Sequence, residues 1–266
     1  ETGAEAEEEI SIPVWGITIP TPKLINATSI IPLEDGRSIF TGTCYHDEVI
    51  DFFLVRIDPH GRIIRQTAFG GARREDLNGD IAVTSTDSYI FAGYTNSFAE
   101  GLGSDAWIIE IGKDDNVKWH RLFARNTFSE TLRTIKPSND GHFIAVGHTQ
   151  SEQRRKGGDW WLLNIDTAGE IVWQKAIGGA DFDDSPWDII ATSDAGYLGI
   201  GGTRSFGAGK SDAWVIKLDS KGVIEWQTAF GGKENDYACS AVEVPDKGYA
   251  VTGYSLNPQA HDSEGW

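Results

Sequence analysis

The sequence predicts an all-β chain folded as a five-bladed β-propeller of four-stranded antiparallel blades, closed by an N-terminal strand joining the last blade. Three columns of residues predict it. Gly93-Tyr94-Thr95-Asn96-Ser97, Gly147-His148-Thr149-Gln150-Ser151 and Gly201-Gly202-Thr203-Arg204-Ser205 recur at a spacing of 54 residues, with weaker copies at Gly42-Thr43-Cys44 and Gly253-Tyr254-Ser255. A second column runs Asp51-Phe52-Phe53, Asp105-Ala106-Trp107, Asp159-Trp160-Trp161, Asp212-Ala213-Trp214 and Glu264-Gly265-Trp266. The third holds Trp15, Trp119, Trp173 and Trp226, with Arg65 in place of Trp once. Columns kept in one order mark tandem units of about fifty residues, none of which can bury its apolar faces alone.

Each unit reads as four strands. The first is illustrated by Ala238 to Val244, the second by Tyr249 to Tyr254, the third by Ala213 to Leu218 and the fourth by Val223 to Phe230. Asn139-Asp140-Gly141, Asp194-Ala195-Gly196 and Asp246-Lys247-Gly248 suit the hairpin after the first strand, because Asp and Asn bond their own backbone and Gly accepts positive φ. Asp166-Thr167-Ala168-Gly169 and Asp219-Ser220-Lys221-Gly222 do the same for the outer hairpin. Trp214-Val215-Ile216-Lys217-Leu218 alternates as a sheet packed on a neighbour does. Val14-Trp15-Gly16-Ile17-Thr18-Ile19 matches a fourth strand, so the N-terminal segment is expected to complete the blade begun at the C-terminus, which removes exposed sheet edges. Blades are placed at 26–71, 76–125, 130–179, 184–232, and 236–266 with 10–20.

Composition narrows the function classes. With 23 basic and 40 acidic residues the net charge is −17, which repels a phosphate backbone, so nucleic acid is not an expected partner. No run of eighteen apolar residues exists, so no membrane insertion is expected. Glu1-Thr2-Gly3 resembles the scar of a eukaryotic secretion vector; residues 1–9 are read as scar and acidic tail, 10–266 as one domain, and the protein as secreted or cell-surface. Two cysteines are too few for a disulfide scaffold or a thiolate zinc site. Cys44 and Cys239 fall on adjacent blades of a closed ring, where either one bridge or two buried thiols is expected. Asn26-Ala27-Thr28 is a glycosylation sequon.

Asp219-x-x-Gly222-x-x-x-Trp226 followed by Gly231-Gly232 resembles the propeller repeats of many secreted bacterial and archaeal proteins, over nearly the whole chain. It is also similar to the tryptophan-docking motif of quinoprotein-like propellers. That resemblance implies that Trp15, Trp119, Trp173 and Trp226 wedge between adjacent blades. It implies no quinone cofactor, and none is expected.

Candidate site residues lie where the inner strands begin. Three positions before the first inner-strand position stand Asp76, Glu130, Asp184 and Asp236, with Ile25 departing. Such a column either holds a channel-bound cation or ties each carboxylate to the backbone of its own loop. The inner position itself does not repeat: Thr28, Gly79, Arg133, Trp187 and Cys239. Arg133 can grip a carboxylate and Trp187 can stack on a sugar or aromatic ring, or both simply pack and pair with the acidic column. Arg154-Arg155-Lys156 is a basic loop tip or a docking point. Gly207-Ala208-Gly209-Lys210-Ser211 imitates a phosphate loop, yet no strand-to-helix context surrounds it. No nucleophile elbow or His-x-x-x-His pair occurs. The expected function is therefore an extracellular binding module whose top face recognises a protein or glycan. The alternatives are a glycan-cleaving enzyme with carboxylates at the channel mouth, and a structural spacer of a larger surface protein.

Overall fold

The computed structural model describes residues 24–46, 49–71, 73–76, 81–84, 88–99, 103–124, 129–150, 158–179, 184–246, 248–257 and 262–265. Trp15 and the expected N-terminal closing strand lie outside the described residues. Every described element is a strand, and every strand pairing within a sheet is antiparallel.

The strands form five sheets in chain order. The first comprises β1 (Leu24–Pro32), β2 (Ser38–His46), β3 (Val49–Ile57) and β4 (Ile63–Phe69). In the second, the inner strand comes in two pieces, β5 (Glu75–Asp76) and β6 (Ile81–Val83), both paired to β7 (Tyr89–Thr95), which is followed by β8 (Asp105–Ile111) and β9 (Val117–Phe123). The third is β10 (Glu130–Pro137), β11 (Phe143–Gln150), β12 (Gly158–Ile165) and β13 (Ile171–Ile177). The fourth is β14 (Asp184–Ala191), β15 (Tyr197–Thr203), β16 (Asp212–Leu218) and β17 (Ile224–Phe230). β18 (Asn235–Glu243), β19 (Tyr249–Asn257) and β20 (Asp262–Gly265) make the fifth.

Each sheet packs face to face on the next, and side-chain period two explains how. Adjacent residues of a third strand serve opposite neighbours. Trp161 joins Ile108 and Phe143 in the core between the second and third sheets, whereas Trp160 joins Trp214 and Ile216 in the core between the third and fourth. Trp160 and Trp214 meet edge to face at 4.9 Å. Phe52 and Leu54 meet Phe91 and Trp107 between the first two sheets, and Val215 meets Ala238 and Ala241 between the last two. β8 and β16 are consequently buried at every position, Lys217 included. Lys217 is tolerated because Asp194 at 2.9 Å and Glu225 at 3.0 Å neutralise it.

The hairpin after the first strand departs from expectation by one residue. The Gly141 turn and the Ala195 turn close with the same bonds, Ser138 to His142 and Thr192 to Gly196. Positive φ therefore falls on Gly141 at 82° but on Ala195, not Gly196, at 64°. Gly196 is needed for space instead: a Cβ there would lie 2.2 Å from the Leu218 carbonyl oxygen.

Candidate functional site

The inner strands share one irregularity that aims side chains into a single cavity. β1, β10, β14 and β18 each break register against the second strand at one equivalent place, between Ala27 and Ser29, Leu132 and Thr134, Pro186 and Asp188, and Ala238 and Ser240, with β1 shifting once more between Leu24 and Asn26. The residue skipped is Thr28, Arg133, Trp187 and Cys239 in turn. A bulge inserts an unpaired residue and re-aims its side chain. All four line a cavity of about 550 Å³, together with Asn26, Ala27, Thr134 and Asp188. Residues from four different sheets meet there. Gly79, the equivalent in the second sheet, lies outside the described residues.

Arg133 and Trp187 are direct partners: the guanidinium carbon lies over the indole at 4.1 Å from its centroid. Tyr254 packs edge-on against Trp187 at 6.2 Å and fixes the ring. Arg133 is exposed to solvent on the cavity wall. Burial pushes its pKa below the ordinary arginine value, while Cys239, Tyr254 and Asp188 oppose that shift. Asp188 is the only carboxylate lining the cavity among the described residues, and it accepts the Ile189 amide at 2.8 Å. Burial likewise pushes the Cys239 thiol up, with Arg133 pulling it down.

The acidic column lies in the sheets, not on the cavity wall. Asp184 is fully buried; it accepts the Thr203 hydroxyl at 2.6 Å, the Arg204 amide at 3.1 Å, the Ser205 hydroxyl at 2.9 Å and the Gly179 amide at 2.9 Å. Asp236 accepts the Ser255 hydroxyl and, at 2.7 Å, the Gly232 amide. Glu130 is buried beside the Thr149 hydroxyl, the equivalent pair one sheet earlier. These are the contacts of the loop-tying reading: the recurrent Thr or Ser of the first sequence column bonds the acid nineteen positions before it. The Asp76 backbone sits on β5, and its side chain lies outside the described residues. Among the described residues no group of three or more His, Cys, Asp or Glu side chains is arranged to hold a metal ion.

Cys44 and Cys239 are both free thiols, which corrects the bridged alternative. The reason is orientation: Cys44 is buried with Phe40, Phe53 and Val55, whereas Cys239 is turned by its bulge into the cavity. Asn26 is exposed and lines the same cavity as Arg133, so the sequon sits at the cavity rather than on an outer loop. Arg154-Arg155-Lys156 lies outside the described residues.

The tryptophan column sits at the outer edge. Trp119 lies on the backbone of Gly169, where a Cβ would come within 2.7 Å of the ring, and Trp173 lies likewise on Gly222 at 2.7 Å. Trp173 also donates its indole N–H to the Ser220 carbonyl at 3.2 Å. Trp226 is 41% exposed, with Tyr249 at 6.0 Å. Where the column has Arg65, the opposing turn has Asp115 at φ 63° instead of glycine, and Arg65 Nε pairs with Asp115 Oδ2 at 3.0 Å. Both halves of that exchange are readable as departures from their columns. The bulges are not, because each of the four described copies carries the same insertion and none stands out against another.

No family model matches the chain, and no curated protein matches it in sequence. Solved structures resemble it. A protein of unknown function from Dyadobacter fermentans DSM 18053 superposes with a TM-score of 0.56 and 13% identity over 92% of this chain and 83% of that one. An α-L-arabinofuranosidase from Lactobacillus brevis gives 0.52 and 9% over 86% and 82%. A thermostable family-43 glycoside hydrolase gives 0.51 and 8% over 90% and 87%. At such identities the likeness is one of fold. It defines the chain as an all-β protein of antiparallel four-stranded sheets in a propeller-type arrangement.

Proposed function

We propose that the five sheets close into a five-bladed ring, with the N-terminal segment completing the last blade, and that the chain is an extracellular or cell-surface binding module recognising a glycan at the axial cavity. One observation supports this reading above the others: the bulged residues of four sheets, which do not repeat in identity, converge on one cavity of about 550 Å³. A cavity of that size, with an aromatic platform at Trp187 beside polar side chains such as Asn26, Arg133 and Asp188, fits a small polar ligand such as a sugar. Side chains serving the blades recur in every blade; these do not. The acidic column, by contrast, supports the blades through Thr203, Ser255 and Thr149.

A second reading, a glycan-cleaving enzyme, is supported by Asp188 on the cavity wall and by two fold neighbours being named a glycoside hydrolase and an arabinofuranosidase. Hydrolysis ordinarily takes a pair of carboxylates. A glycan array run beside a hydrolysis screen separates the two. Binding without turnover, lost in Trp187→Ala, supports the module. Turnover lost in Asp188→Asn supports the enzyme. Silence in both assays overturns both readings for glycans and leaves a protein-binding module or a structural spacer.

A further inference from the structure

The charge on the cavity wall narrows the ligand beyond a glycan in general. Arg133 is the only cationic residue lining the cavity among the described residues. It belongs to a protein whose net charge is −17, so its sign runs against the whole molecule. Its guanidinium carbon lies 4.1 Å from the centre of the Trp187 ring.

Stacking engages the flat face of a guanidinium, while its hydrogen-bond donors point outward in the plane. Trp187 is itself steadied by Tyr254, so the platform beneath Arg133 is fixed. The result is a planar fork held ready for a planar, two-oxygen acceptor, with part of the ordering cost already met in the free protein.

The rest of the wall sets a limit on how much negative charge is welcome. Asp188 lines the same cavity and repels a second anionic group. Asn26 and Thr28 offer a neutral amide and a hydroxyl suited to sugar hydroxyls. The acidic exterior repels a long polyanion at distance.

Resting on the glycan-binding reading of the same cavity, we infer that it selects a sugar bearing a single carboxylate, of the uronic acid class, whose carboxylate is gripped edge-on by the Arg133 fork stacked on Trp187. Isothermal titration of the full chain with galacturonate, galactose and galactose 6-phosphate tests this. Galacturonate is expected to bind roughly tenfold to a hundredfold tighter than galactose, the range expected of charge-assisted hydrogen bonds. Galactose 6-phosphate is expected to bind more weakly than galacturonate. Arg133→Gln removes the preference for the acid, and Arg133→Lys, which keeps the charge but not the fork, removes most of it. Each variant is checked for an unchanged unfolding midpoint.

Equal binding of galactose and galacturonate, or a preference that survives Arg133→Gln, overturns the inference and leaves the glycan-binding reading standing. No binding of galacturonate by a protein that captures neutral glycans on the array does the same. Silence toward every glycan overturns both.

Discussion

Neighbouring sheets are joined at their outer edges in two chemically different ways. Between the second and third sheets, and between the third and fourth, an indole lies on a glycine: Trp119 on Gly169 and Trp173 on Gly222. Between the first and second, the same geometry is occupied by Arg65 and Asp115. Asp115 takes the positive φ that Gly169 and Gly222 take, at 63° against 80° and 73°. Its carboxylate also accepts Arg56 Nε at 2.7 Å. Arg56 stands where Asn164 and Lys217 stand in later sheets, and stacks on Tyr89 at 5.0 Å, the counterpart of Tyr197. Asn164 instead donates to the Tyr197 hydroxyl at 2.9 Å. The backbone of the joint is thus fixed, while its glue can be apolar contact or buried charge. The two differ in how they fail.

The largest effect is expected at the charged joint. Asp115→Ala leaves Arg56 buried without its carboxylate, since Arg56 and Asp115 side chains are 6% and 1% exposed. Loss of one partner of a buried pair costs about 3–5 kcal/mol, read as a lower urea midpoint. Converting the joint wholesale, with Arg56→Asn, Arg65→Trp and Asp115→Gly together, rebuilds the indole-on-glycine arrangement and recovers most of that loss. A triple variant no more stable than Asp115→Ala would show that the two joints are not interchangeable.

At the apolar joint the failure is steric. Gly222→Ala places a methyl 2.7 Å from the Trp173 ring on a residue whose φ is 73°. Strain from the left-handed backbone and from overpacking together cost about 2–4 kcal/mol by the same denaturation measurement. Gly141, whose added Cβ meets nothing within 4 Å at φ 82°, isolates the backbone part: Gly141→Ala should cost only about 1–2 kcal/mol.

The smallest effect concerns pH. The Thr192 hydroxyl, then Lys217, hold the Asp194 carboxyl well below its ordinary value of 3.8. A carboxylate whose folded pKa is depressed contributes stability above the unfolded value and loses it as pH falls through the folded one. Wild type should therefore lose stability below about pH 4 more steeply than Asp194→Asn. Because the Asp194 side chain is 54% exposed, the difference at neutral pH should be no more than about 1 kcal/mol. A steeper acid limb in the variant would sink this assignment.

Much of this is legible in the chain itself, and the reasons are physical. A repeated unit writes its turns and docking residues several times over, so Gly222, Trp173 and the Thr203 partner of Asp184 stand out by recurrence. Recurrence also makes the acidic column ambiguous, because a ring of carboxylates and a set of loop ties have the same sequence. Glu130, Asp184 and Asp236 are buried, each beside a Thr or Ser hydroxyl, which are the contacts a loop tie makes. The fully buried third strands escape sequence reading because covering by a neighbour on each side erases the polar alternation that a one-sided sheet would show. Asp188, Asn26 and Thr134 do not stand out as wall residues, since only the bulge brings them there.

That bulge has a consequence for how the protein can change. The direction in which Thr28, Arg133, Trp187 and Cys239 point is set by main-chain register, not by what the side chains are. At the bulge these side chains leave the ladder and meet in one cavity. The cavity wall thus works like a row of interchangeable keys on a fixed frame: new ligand preferences can be written there one position at a time without redrafting the scaffold.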